Sequence, residues 1–245
     1  GGTSTSDVLL LTGGGTAVVS GDVDGVTAVE TIRAKAGASL SIASDDLNGA
    51  DEKTLHLDGA DLTSAYVFTA SAADETNAIV TITGGAGADA LTGSASDHGD
   101  TISGGAGNDT LSFATANLTT ADTVAGGTGT DTLSLTDAST VIDADFTNIT
   151  SVETITQTTA THGMTLTLGA ASMAAGLVTV TGGTGTNSVT VGAGHTSALT
   201  VALAAGSDTM TASASAAAIT VTAGADSITS ADTITGGSGP GDTLT

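Results

Sequence analysis

The sequence predicts an all-β chain of short strands, arranged as a coil, a sandwich or a barrel. Three observations carry this. Val, Ile, Leu and Thr alternate with small polar residues over runs of four to six positions, the two-residue period of a sheet with one buried face. The runs recur at intervals of roughly ten residues with Gly or Asp between them. A nine-residue phrase is spelled twice, "GGAGADALT" at 84–92 and "GGAGNDTLS" at 104–112.

Taken in order, the expected strands are "AVETIRA", "ASLSIAS", "KTLHLDG", "AYVFTAS" and "AIVTITGG" in the first half. In the second half they are "MTLTLGA", "LVTVTGG", "NSVTVGA", "ALTVALAAG" and "AAITVTAG". No segment carries an apolar stripe of period 3.6, although "DDLNGADEK" and "ASMAAG" can each make a helical turn. The core must be built from small aliphatics. Tyr66, Phe68, Phe113 and Phe146 are too few for a carbohydrate-stacking platform and read as core plugs.

Charge excludes several functions. The 245 residues include 26 acids and only three cations, Arg33, Lys35 and Lys53, for a formal net charge of −23. Such a surface repels nucleic acid and anionic lipid and suits cations. With no cysteine there is no disulfide frame and no thiolate metal site. No apolar run approaches the roughly 20 residues of a membrane span. The chain opens "GGTSTSDVLL" without Met, and is expected to be a piece of a longer, exported protein.

Longer repeats organise the whole. "GGTSTSDVLLL", "GGTGTDTLSL" and "GGSGPGDTLT" open three similar stretches, and the first two lead into "VDGVTAVETI" and "FTNITSVETI". Val23 to Phe146 spans 123 residues and Asp7 to Asp131 spans 124, so two phrases keep one spacing. We read tandem modules at 1–125 and 126–235, with 236–245 beginning a third.

The short phrase has a physical reading. Residues 84–92, 104–112 and 126–134 fit G-G-x-G-x-D-x-U-x, with Asp89, Asp109 and Asp131 as the acids and Leu91, Leu111 and Leu133 as the large aliphatics. The first six positions make a tight turn whose glycines let carbonyl oxygens face the gap between coils. The last three form a strand with U in the core. Two nonapeptides make a coil of about 18 residues, so Asp89 and Asp109, 20 apart, are expected to stack, with 93–103 as the half-coil on the other edge. Carboxylates plus carbonyls form an all-oxygen cage suited to Ca²⁺. The candidate metal residues are Gly85, Gly87, Asp89, Asp100, Gly104, Gly105, Ala106, Gly107, Asp109, Gly127, Gly129 and Asp131.

This phrase resembles the nonapeptide of the RTX (repeats-in-toxin) family. The resemblance implies calcium-loaded parallel β-rolls and export by type I secretion. The fold then expected is short-strand parallel β-roll or β-solenoid coils combined with β-sandwich-like segments, in tandem modules. Glycine, alanine and threonine richness, absent cysteine and the "SVETI" phrase are similar to Caulobacter-type S-layer and surface-filament proteins.

Later repeats depart from the pattern. "GGTGTNSVT" carries Asn187 in place of the acid, and an amide offers a cation an oxygen without charge. Asp208 and Asp226 lack the leading glycine pair, and Pro240 adds a residue to "GGSGPGDTL". His56, His98, His162 and His195 are scattered and read as surface residues; only His98, beside Asp97 and Asp100, lies near an acid cluster. The pairs Asp45/Asp46, Asp51/Glu52 and Asp74/Glu75 read as solvated loop acids or single calcium sites rather than catalytic dyads. Glu30 and Glu153 are solvent-facing strand residues, caps or metal ligands. No G-K-[ST] lysine follows a glycine turn, and no H-E-x-x-H marks a metalloprotease.

The function expected is structural and not enzymatic: a calcium-stabilised segment of a bacterial surface layer or extracellular filament, associating with itself outside the cell. Contact with cell-surface polysaccharide would pass through a region outside this chain. The alternatives are the stalk of a large RTX adhesin and the non-catalytic part of a secreted RTX enzyme.

Overall fold

The computed structural model describes residues 7–12, 17–18, 29–35, 40–43, 54–76, 78–96, 98–137, 139–158, 163–223 and 228–245. Asp45, Asp46, Asp51, Glu52, Asp97, His162, Asp226 and the "DDLNGADEK" stretch lie outside them. The chain forms two compact units, one of Gly1–Phe113 with Ala121–Asp131 and one of Ala114–Thr120 with Thr132–Thr245. Each is a parallel β-solenoid, as the sequence predicts.

In the first unit one sheet runs through Val8–Leu11, Thr31–Ala34, Thr54–Asp58, Ile79–Thr83, Thr101–Ala106 and Thr123–Thr128. The other runs through Ala17–Val18, Leu40–Ala43, Phe68–Ser71, Ala90–Thr92 and Thr110–Phe113. The alternation in sequence becomes alternation in burial, as in Thr54–Asp58, where Leu55 and Leu57 face inward. Equivalent residues then stack from coil to coil. Ile32, Leu57, Ile82, Ile102 and Val124 form one buried aliphatic row, and Ala70, Leu91 and Leu111 a second. Each fully buried aliphatic contributes about 1.5–3 kcal/mol, so the rows hold the coils together.

The second unit repeats the plan. Leu133, Ile155, Val180, Val201 and Val221 stack in one sheet, and Val141, Leu166, Val189 and Met210 in the other. The helical turn expected of "ASMAAG" is the helix Ala170–Ala175. Phe68, Phe113 and Phe146 are buried plugs, while Tyr66 is only half-buried.

Two expectations change. Coils are longer than 18 residues: Ala90 pairs with Thr110, 20 positions on, and Thr101 with Thr123, 22 positions on. The strands keep their register, and the additional residues go into the connecting arcs, where no ladder bond constrains them. His195, read as a surface residue, is fully buried, with Nδ1 3.4 Å from the Ser172 hydroxyl. Burial lowers its pKa, which favours the neutral imidazole.

Candidate metal centre

Each phrase acid stands just before a strand, and this sets what its carboxylate can reach. Oδ1 of Asp89 accepts the Phe68 N–H at 2.7 Å. Oδ1 of Asp109 accepts from Asp89 N–H at 2.7 Å, and Oδ1 of Asp131 from Asp109 N–H at 2.8 Å. The three predicted acids therefore form one row up the coils, Asp109 and Asp131 each tied to the acid before it. All three are buried, with at most 2 % exposure.

The glycines stack with them. Gly105 pairs with Gly127 and Ala106 with Thr128, and the Ala106 N–H donates to the Gly85 carbonyl at 3.0 Å. A Cβ on Gly105 would collide with the Gly85 carbonyl oxygen, one on Gly107 with that of Gly87, one on Gly127 with that of Gly105, and one on Gly129 with that of Gly107. Carbonyl oxygens thus crowd the gaps between successive turns, which only glycine allows. Gly105, Gly107, Gly127 and Gly129 also take positive φ (102°, 120°, 110° and 142°), a conformation glycine adopts without penalty. A Cβ on Gly104 would run into Asp109 Oδ2, so the leading glycine makes room for the acid.

The turns are not identical. In 84–89 the glycines lack positive φ, and Asp89 Oδ2 accepts the Gly85 N–H at 2.6 Å. In 104–109 the strand Thr101–Ala106 continues into the turn, and Asp109 Oδ2 is buried with no hydrogen-bond partner. Burial pushes the Asp109 carboxyl up to about 6, with the Asp89 and Asp131 charges adding to the rise. Asp89 is raised too, again chiefly by burial.

Asp100 belongs elsewhere. It lies in a separate row, where its N–H donates to Asp122 Oδ1 at 2.7 Å and its Oδ2 accepts the Ser94 N–H at 2.7 Å. Burial, chiefly, raises its carboxyl to about 6. Sequence reasoning missed Asp122, although the signal was present: acid-Thr-aliphatic occurs as "DTI" at Asp100, "DTL" at Asp109 and "DTV" at Asp122. Glu30 plays a related part, its Oε2 accepting the Asp7 N–H at 2.9 Å, so it acts as a cap. Asp74 is exposed and its neighbour Glu75 buried, which separates that pair.

In the second unit Asn187 Oδ1 accepts the Met164 N–H at 3.2 Å, Asp208 Oδ1 the Asn187 N–H at 2.8 Å, and Asp232 Oδ1 the Asp208 N–H at 2.6 Å. The "GGSGPGDTL" turn survives its added residue: Asp242 accepts from Gly237 N–H at 2.8 Å and from Ile219 N–H at 3.0 Å.

The donor set at 84–131 is entirely oxygen, and a buried, unpaired carboxylate oxygen lies within it, which fits a hard cation such as Ca²⁺. Among the described residues no three His, Asp or Glu side chains converge to hold a metal by themselves. A family model of the RTX calcium-binding nonapeptide repeat, four copies long, matches residues 95–112 and 119–135. Those residues are similar to RTX repeats, and RTX nonapeptide repeats bind calcium. The matched residues take in Asp100, Asp109, Asp122 and Asp131 and leave out the phrase at 84–92. No curated protein and no solved structure matches the chain. Repeats of this kind typify secreted, extracellular proteins. Among the described residues no helix is long and apolar enough to cross a membrane.

Proposed function

We propose that this chain is a structural, non-catalytic segment of a bacterial surface layer or extracellular filament, whose first unit is held by calcium and which associates with copies of itself. The observation that carries the reading is the buried acid row Asp89–Asp109–Asp131 among crowded glycine carbonyls, with Asp109 Oδ2 left without a donor. In this reading calcium lies between successive turns. Asp89, Asp109 and Asp131 hold it together with carbonyls from Gly85, Gly87, Gly104, Gly105, Ala106, Gly107, Gly127 and Gly129; Asp100 serves a different row. The ion supplies positive charge to a chain that has only three cationic side chains.

Repeated parallel coils suit an extended, load-bearing role, and two strongly anionic chains need a bridging cation before they can meet. The test is light scattering and negative-stain imaging of the full-length protein during a calcium titration. Sheets or fibres that form in the millimolar range, and better with calcium than magnesium, support the reading. Monodisperse particles throughout favour an adhesin stalk.

A further inference from the structure

The turn 182–187 has the glycine pattern of the calcium turns but an amide where they have an acid. Asn187 is fully buried. Its Nδ2 donates to the Gly183 carbonyl at 2.8 Å, the Gly185 carbonyl at 2.9 Å and Asp208 Oδ1 at 2.9 Å. Two glycine carbonyls and the carboxylate of the next coil thus converge on one NH₂ group. The orientation of the amide follows from its partners, since Oδ1 receives the Met164 N–H and Nδ2 meets acceptors only.

The aspartates of the first unit use their inner oxygens the same way. Asp109 Oδ1 receives the Asp89 N–H, as Asn187 Oδ1 receives that of Met164. The second side-chain atom also sits alike. A Cβ on Gly104 would run into Asp109 Oδ2, and one on Gly182 would run into the Asn187 amide group, at 2.9 Å from Nδ2 and 3.0 Å from Oδ1, so the leading glycine makes room for the side chain in both turns. At that place the aspartate presents an unpaired lone pair and the asparagine two hydrogens.

We propose that Asn187 does for this turn what calcium does for the turns of the first unit, so that 182–187 is a calcium-independent coil covering a latent cation site. The amide hydrogens satisfy the Gly183 and Gly185 carbonyls and add a second donor to Asp208 Oδ1, which also accepts the Asn187 backbone N–H. Asp208, which reaches this turn through Oδ1, also has a second oxygen that is buried and accepts no hydrogen bond. Replacing the NH₂ by a carboxylate oxygen would leave Gly183 O, Gly185 O, Asp208 and the new acid as an all-oxygen set suited to Ca²⁺.

The inference rests on the calcium reading of the first unit, and the test separates the two. Bound calcium is counted by elemental analysis in the wild-type chain and in Asn187→Asp, and hydrogen exchange is followed with and without chelator. In wild type, chelator should deprotect 104–112 and leave 183–191 unchanged. Asn187→Asp should gain one calcium per chain and make protection of 183–191 calcium-dependent. Equal chelator sensitivity of the two segments in wild type, or a folded Asn187→Asp chain with unchanged calcium content, overturns the proposal. If Asn187→Asp folds under neither condition, Asn187→Ala decides. Loss of protection that is the same with and without calcium supports the amide's role, and loss that calcium repairs overturns it. A wild-type chain without bound calcium refutes the reading of the first unit instead, and Asn187→Ala then decides the amide's own role: lost protection of 183–191 supports it, and unchanged protection overturns it.

Discussion

The turns 104–109 and 182–187 differ at their sixth residue by one exchange of oxygen for NH₂, and that exchange divides the two turns chemically. Around Asp109 the buried group facing the glycine turn is an acceptor without a donor. Around Asn187 it is a donor with three acceptors in reach. One backbone design can be completed by an imported cation or by an internal amide. The first gives a switch, the second a permanent staple.

The largest effect expected is from calcium removal. At calcium a hundred- to a thousandfold above its dissociation constant, the ion stabilises its site by about 3–4 kcal/mol. Chelator should therefore lower the thermal midpoint of the first unit and deprotect its 84–131 turns in hydrogen exchange. Identical melting with and without chelator would remove the contrast.

Mutation should transfer the behaviour of one unit to the other. Asp109→Ala strips the Asp89 N–H of its partner and should cost about 1–3 kcal/mol even without calcium. Asp109→Asn keeps an oxygen for that N–H and supplies hydrogens to the turn. Its midpoint in chelator should exceed that of wild type, while its calcium increment should vanish. Paired melts in chelator and in calcium check both variants.

Acidification should move the units in opposite directions. Asp100 and Asp109 have folded values of about 6, above the roughly 3.9 of an unfolded aspartate. Without calcium their contribution is complete below pH of about 4 and lost as pH rises through about 6. The calcium-free first unit should thus gain stability from pH 7 to 5, while calcium affinity falls as protons compete. In the second unit Asp143 is half-buried, which by itself raises its carboxyl, but the N–H groups of Gly169, Ala171 and Ser172 outweigh that and hold it below the usual range. His195 is depressed by burial. Both contributions are present at neutral pH. That of His195 is lost as pH falls below about 6.5, and that of Asp143 as it falls below about 4. Hydrogen exchange at stepped pH in chelator should show the slopes diverging; parallel slopes would count against the assignment.

The smallest effect lies away from both turns. Arg33 Nε and Asp58 Oδ2 form an exposed ion pair at 2.6 Å between neighbouring coils. Arg33→Ala should cost less than about 1 kcal/mol and leave calcium content unchanged.

Much of this was legible in the sequence, for identifiable reasons. The period-two pattern shows which side chains face inward, so the aliphatic rows followed from Leu91, Leu111 and Leu133. The spacing of Asp89, Asp109 and Asp131 predicted their stacking, because a parallel coil must return to the same edge. The row of Asp100 was harder to see, since its turn, "GSASDHGD", lacks the glycine pattern and only the following "DTI" repeats. Coil length escaped because arcs absorb residues without disturbing strands. The burial of His195 and the way Asn187 turns its amide depend on residues more than 20 positions away, which no local pattern records.

The side-chain bonds of the acid rows all run one way along the chain. Asp109 completes Asp89, Asp131 completes Asp109, and Asp232 completes Asp208, each from 20 to 24 residues downstream. Each of these three acids is thus finished by the coil that follows it. The backbone runs the other way, since Thr110 donates its N–H to the Asp89 carbonyl and Thr233 to that of Asp208. Cutting away a later coil strands the N–H of the earlier acid, and cutting away an earlier coil strands the N–H of the residue after the later acid. The junction is therefore reciprocal: a side chain finishes the coil before it while the neighbouring backbone leans on that same coil, so removing either partner leaves a donor without its acceptor.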